Sequence, residues 1–190
     1  MQRCGWVGLE PIYVAYHDEE WGVPEYDSRA LWEKLILDGF QAGLSWIIIL
    51  KKREAFRKAF ANFDPEIIAT WGPKEVDALL QDSGIVRHRG KIQAAIGNAQ
   101  AYLELQEKIP FSERIWAYTG GVPLVGSYRS QADVPTNSDL SAQISKDLKK
   151  AGFKFCGPTI IYAWMEACGL INNHIIKCER FEAVKKFARI

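Results

Sequence analysis

Four side chains have the types and spacing of a metal set. His174 and Cys178 lie four residues apart, so on a helical turn they project to one side. Cys4 and His17 form a second pair in the irregular N-terminal segment. Together they make Cys2His2, a closed tetrahedral set suited to structural zinc. The spacing is not that of a zinc finger, and two ordinary cysteines with two ordinary histidines remain the alternative. Cys156 and Cys168 sit in apolar surroundings and read as small buried hydrophobes.

Two further features carry chemistry. Trp6, Tyr13, Tyr16, Trp21, Trp32 and Trp46 crowd about forty residues of a chain with seven Trp, seven Tyr and nine Phe. They fill core, or they form a cage whose ring faces attract cations and stack bases. Residues 138–169 read as a helix, a Gly152-to-Gly157 turn and a second helix. Such a hairpin exposes backbone N–H groups suited to phosphate, with Lys149, Lys150 and Lys154 nearby. A plain helical hairpin is the alternative. Arg87, Arg89 and Lys91 add a basic run that is either a solvated face or a DNA contact.

The elements that must position these residues are almost all helical. Residues 1–26 read as irregular, broken by Gly5, Gly8, Pro11, Gly22 and Pro24. Asp27 or Ser28 caps a helix to about Leu37, and Gly39 and Gly43 bracket a break. Helices follow over about 45–60, from Asp64-Pro65-Glu66, over 73–83, 89–106 and 111–118. Residues 120–137 read as a long loop. Ser138 caps the next helix, and Pro158 opens an apolar one ending near Gly169. No alternating strand pattern of useful length appears. The expected architecture is all-α, about eight short helices in one domain over 190 residues.

Composition narrows the function. Hydrophobic residues at 48% support a real core, and 24 Lys plus Arg against 23 Asp plus Glu exclude a polyionic tail. Nucleic-acid contact must then come from a local patch. The longest apolar run, Trp46 to Leu50, is far too short to span a membrane, and no secretory segment is apparent. The expected compartment is the cytoplasm, where disulfides are rare.

Several segments resemble the 3-methyladenine DNA glycosylase I family. They are Arg3-Cys4-Gly5-Trp6-Val7, then Tyr13-x-Ala15-Tyr16-His17-Asp18-x-Glu20-Trp21-Gly22-Val23-Pro24, and Gln41-Ala42-Gly43-Leu44-Ser45-Trp46. Gly84-Ile85-x-Arg87-His88-Arg89-Gly90-Lys91-Ile92, Gly152-Phe153-Lys154-Phe155-x-Gly157-x-Thr159 and Ala167-Cys168-Gly169-Leu170 complete a match over nearly the whole chain. The resemblance implies the helix-hairpin-helix glycosylase fold. It implies excision of 3-methyladenine from alkylated double-stranded DNA to leave an abasic site. It also implies one structural zinc on Cys4, His17, His174 and Cys178, clasping residues 1–26 to 170–190. The implied base pocket is Trp6, Tyr13, Tyr16, Trp21, Asp38 and Trp46, with Asp38 and Tyr16 in the catalytic roles. Gln41, Ala42, Gly43 and Leu44 are the implied wedge into the duplex, and Lys154, Gly157 and Thr159 the implied phosphate contacts. A monomer without an obligate protein partner is the expectation.

The chemistry agrees with that reading. N3-methylation gives adenine a positive charge and weakens its glycosidic bond, so little acid–base help is needed. No lysine occupies the first turn after Gly157, so lyase chemistry lacks its usual nucleophile. The four-cysteine cluster of some relatives is absent, so no iron–sulfur centre is expected. Two positions depart from the family pattern: Asp38 stands where Glu is usual, and Asn173 where Asp is frequent, a position near DNA in relatives. The first touches base recognition. An alternative reading is therefore a damage-binding protein with altered specificity or lost turnover.

Overall fold

In the computed structural model, residues 2–188 are described, so positions 1, 189 and 190 of the expected terminal subregion lie outside the description. Ten α-helices are present among the described residues: α1 Pro11–Ala15, α2 Ser28–Gln41, α3 Trp46–Ala59, α4 Pro65–Ile68, α5 Pro73–Leu79, α6 Arg89–Gln106, α7 Phe111–Trp116, α8 Asp139–Lys150, α9 Pro158–Ala167 and α10 Glu179–Lys185. Two short strands, β1 Leu124–Val125 and β2 Ile171–Asn172, pair in parallel, with Leu124 opposite Ile171. Two residues each are too few to leave an alternation in the sequence.

Start signals were well placed. Asp27 accepts from Ala30 N–H, Asp64 from Glu66 and Ile67 N–H, and Ser138 from Ser141 N–H. Stop signals were weaker. Gly39 lies inside α2, which runs on to Gln41, because the helix there packs against the 153–156 turn. A Cβ on Gly39 would sit 3.3 Å from Phe155 O. The glycine marks close approach, and the break falls at Ala42–Ser45. The helix over 73–83 ends early, at Leu79. Residues 1–26 are not wholly irregular, since α1 runs into a π-helical turn over Tyr16–Glu20. His174 and Cys178 sit on a tight turn before α10, closed by Cys178 N–H to Ile175 O at 2.7 Å, and not on a helix.

Two apolar clusters hold the molecule. The main one joins α2 to α9 around Trp32, Phe40, Tyr102, Phe111 and Trp164. Buried Trp32 donates to Phe63 O at 3.0 Å and buried Trp164 to Leu31 O at 3.0 Å, so neither indole loses its partner. The smaller cluster, Cys4, Val7, Tyr16, Trp21, Leu50, Ile175 and Cys178, lies beneath the N- and C-terminal segments. Trp46 packs against both.

The end of α9 fastens the two regions together. Gly22 N–H donates to Glu166 O and Glu25 N–H to Cys168 O, each at 3.0 Å. Gly169 takes φ +69°, and a Cβ there would enter the backbone of Val23 and Pro24. Gly169→Ala combines left-handed strain with overpacking and should cost about 2–4 kcal/mol, read as a lower denaturant midpoint.

Candidate active site

The π-helical turn places neighbouring residues in different jobs. Trp21 N–H reaches back to Tyr16 O at 2.9 Å, an i to i+5 bond that widens the turn. Tyr16 and His17 are both buried, Tyr16 lining a pocket and His17 joining a Cys/His cluster.

The pocket, of about 230 Å³, is lined by Trp6, Tyr13, Tyr16, Trp21, Asp38 and Trp46. All six residues expected to hold a base therefore meet in one cavity. The rings brace one another by tilted and edge-on contacts: Trp6–Tyr13 at 4.9 Å and 56°, Trp6–Trp21 at 5.1 Å and 75°, Tyr16–Trp46 at 5.5 Å and 47°. Gln41, Gln131, Ala163, Glu166 and Ala167 complete the wall. The sequence reading missed Glu166. One signal was available, since it is the only charged residue in the apolar helix α9. Gln131 comes from a 3-10 turn in the long loop, and nothing local marks it.

This wall holds polar atoms that the protein leaves unpaired. Asp38 Oδ2, Trp46 Nε1 and Gln131 Oε1 are buried without a hydrogen-bond partner. Unpaired buried atoms are costly, and a cluster of them marks a ligand site. Burial pushes the Asp38 carboxyl well above its ordinary range, with Glu166 adding to the rise against the nearby Lys34 charge. Burial also raises the Tyr16 hydroxyl well above its usual value, so it is a neutral donor. Burial lifts Glu166 to about 7, opposed by the hydrogen bond from Asn173. No Lys or Arg among the described residues lines the cavity. A second cavity of about 240 Å³ lies behind Tyr16 and Trp46. Two of its carboxylates are paired internally, Glu20 by Arg53 at 2.6 and 2.9 Å and Glu33 by Arg57 at 2.7 Å.

Cys4, His17, His174 and Cys178 are all buried, with their donor atoms within 4.8 Å of one another. These four residues could hold a metal ion. Both imidazoles are oriented from behind. His17 Nδ1 lies 2.7 Å from Asp18 Oδ1, and His174 Nε2 lies 3.0 Å from Trp21 O. That leaves His17 Nε2 and His174 Nδ1 facing the sulfurs. Hydrogen bonding from Cys4, and then from His17 and His174, pulls the Cys178 thiol far below its ordinary range.

A protein-family model described as methyladenine glycosylase matches residues 6–181. The chain belongs to the methyladenine glycosylase family. DNA-3-methyladenine glycosylase 1 of Escherichia coli K12 is 51% identical over 179 residues, 94% of this chain and 96% of its own. A crystal structure of a 3-methyladenine DNA glycosylase I superposes with a TM-score of 0.92 at 51% identity, covering 94% of this chain and 98% of that one. The Staphylococcus aureus glycosylase, whose structure addresses 3-methyladenine recognition, also gives 0.92 at 41% identity, covering 95% and 97%.

The other residues expected to contact DNA lie at the end of α2 and the start of α9. Gly43 and Leu44 are exposed, beside half-buried Gln41 and Ala42, in the turn between α2 and α3. Lys154 and Thr159 are exposed, and Gly157 is half-buried as the cap of α9. Lys91 is different from its basic neighbours. It is buried, and its ammonium donates to Phe40 O at 2.8 Å and Ala42 O at 2.6 Å, holding the end of α2. It is a structural cap, while Arg89 pairs with Asp77 at 2.8 Å. Asn98 grips the hairpin through Lys154 O at 3.0 Å and Lys154 N–H at 2.8 Å. Asn173 is wholly buried and donates to Tyr162 Oη at 2.9 Å and Glu166 Oε1 at 2.7 Å, so here it faces the protein interior. Cys156 and Cys168 are buried as expected, burial raising both thiols.

The raised Glu166 carboxyl makes a stability prediction. Its stabilising neutral form is fully present below its unfolded value near 4.5 and is lost as pH rises through about 7. Stability of the wild type relative to Glu166→Gln should therefore fall across that window, by at most about 3 kcal/mol. Denaturant midpoints of the two proteins at pH 4.5, 6 and 8 measure it; parallel curves contradict it.

Proposed function

We propose that this protein is a monofunctional DNA glycosylase that hydrolyses the glycosidic bond of 3-methyladenine in alkylated double-stranded DNA. The carrying observation is the pocket: aromatic walls, two carboxyls, and unpaired buried polar atoms, with no cation of its own. A flat cationic base satisfies all of these at once. The family relatives are named for this activity.

The substrate supplies much of the driving force. Water adds to C1′ as the C1′–N9 bond breaks, its proton passes to solvent, and the base leaves neutral with the bonding pair. The pocket holds the base by aromatic contact and by Asp38, with Tyr16 as a neutral donor beside it. Bringing the base there requires it to leave the stack. The exposed Leu44 wedges into the gap, carried by the Gln41–Leu44 turn that Lys91 anchors. The α8–α9 pair is a helix-hairpin-helix whose 152–159 backbone and Lys154 hold phosphates irrespective of sequence. One chain forms the whole pocket, which supports a monomeric, single-domain enzyme working in the cytoplasm without an obligate partner. No helix among the described residues is long and apolar enough to cross a membrane.

The Cys/His cluster fits zinc. Zn–S near 2.3 Å and Zn–N near 2.05 Å set a tetrahedral S···N edge of about 3.6 Å. Three of the four S···N separations are 3.5, 3.5 and 3.7 Å. Held by these four ligands, a zinc ion would have no open position and would supply stability and no chemistry.

Three outcomes test this reading. Incubation with methylated duplex DNA should release free 3-methyladenine and leave intact strands that break only on alkali treatment. Absence of released base would sink the enzymatic reading and favour damage binding alone. Leu44→Gly should lower excision from duplex about tenfold while free 3-methyladenine still binds normally; equal loss of both points to misfolding. Elemental analysis should find one zinc per chain, and Cys178→Ser should lower stability by about 3 kcal/mol or more.

A further inference from the structure

We infer that Glu166 is a second base-contacting carboxyl, sharing the pocket with Asp38, and that the pair selects cationic purines bearing an amino group at C6 over those bearing a carbonyl there. The inference rests on the glycosylase reading and adds to it a residue and a basis for selectivity.

Glu166 enters the pocket from the last turn of α9, while Asp38 enters from α2. Its Oε1 accepts from Asn173 Nδ2 at 2.7 Å. Its Oε2 has no protein partner among the described residues and is not sealed away as Asp38 Oδ2 is, so it opens onto the cavity it lines. The carboxyl is held in place. Asn173 is wholly buried, and its amide group spends one hydrogen on Tyr162 Oη at 2.9 Å and the other on Glu166. The backbone of Glu166 is fixed too, since its carbonyl accepts Gly22 N–H at 3.0 Å.

The two departures from the family pattern meet at this point. Asp38 is one methylene shorter than Glu, which draws its carboxylate back from the base by roughly one C–C bond, about 1.5 Å. Asn173 replaces an acid. An aspartate there would set a like charge against Glu166, whereas the amide donates to it and makes an anion at 166 tenable. Glu166 thus supplies acceptor capacity in the cavity where Asp38 withdraws it.

Two carboxyls without a cationic neighbour in the wall favour a ligand that brings positive charge and N–H donors. A cationic 3-methyladenine offers both through its exocyclic amine. A 3-methylguanine places a carbonyl oxygen at that ring position, where it meets another acceptor and leaves both unpaired.

Glu166→Gln tests the assignment. The amide keeps the side chain's size and an oxygen for Asn173, but turns a donor toward the pocket. Calorimetry with free 3-methyladenine should show about tenfold weaker binding, the loss of one hydrogen bond to a charged group. Single-turnover excision from duplexes carrying either base should show the 3-methylguanine to 3-methyladenine ratio rising about tenfold. The denaturant midpoint at pH 8 should not fall, because a buried ionisable group has been removed. Unchanged binding together with an unchanged ratio overturns the inference. So does weakened binding that comes with a lower midpoint and no change in ratio, which is the signature of a purely structural side chain. Release of 3-methyladenine by the wild type is a separate result: its failure removes the glycosylase reading, while the effect of Glu166→Gln on free-base binding is still measured.

Discussion

The architecture depends on one closure, the docking of the N-terminal segment onto the end of α9 and the turn that follows β2. Residues 2–26 have only a small apolar cluster of their own, shared with Leu50, Ile175 and Cys178. Cys4 and His174, 170 positions apart, come within 3.7 Å, and the backbone bonds from Gly22 and Glu25 to α9 continue the seam. Trp6, Tyr13, Tyr16 and Trp21 come from this segment, whereas Asp38, Trp46 and Glu166 come from the helical body. Undocking the segment would therefore remove four of the pocket's five aromatic rings at once.

That division explains where the electrostatic tension lies. Helices of the main core carry two carboxyls that no Lys or Arg among the described residues meets in the cavity wall, Lys34 only partly offsetting the burial of Asp38, and the docked segment covers them with aromatic rings. Buried anions are disfavoured unless a counter-charge arrives. The cavity behind Tyr16 and Trp46 shows the contrast, because there Glu20 and Glu33 each meet an Arg at hydrogen-bond distance. The aromatic cavity has no such pairing and favours a cationic guest.

Buried polar side chains shape the loops proposed to face DNA by gripping backbone. Lys91 holds the carbonyls where α2 ends and the Leu44 turn begins. Asn98 takes both backbone groups of Lys154, and Ser145 donates to Cys156 O at 2.6 Å. Phe155, between these anchors, adopts φ 52° and is exposed beside His88. Each anchor binds main chain, so the loop is fixed while its outward side chains stay free for phosphate or duplex contact.

Helix starts were legible because capping is local: Asp27, Asp64 and Ser138 act on N–H groups two or three residues away. The aromatic wall and the Cys/His set that could hold a metal were legible through motif resemblance, and the structure gathers each set in one place. Helix ends were less so, since Gly39 reads as a breaker until the 153–156 turn is seen to need its missing side chain. The basic run around Lys91 looked like surface, and only packing showed its ammonium turned inward to α2. Glu166 and Gln131 belong to the pocket solely because α9 and a distant loop converge on it. Their contributions come from contacts between segments far apart in the chain, and no local pattern of charge or periodicity encodes such contacts.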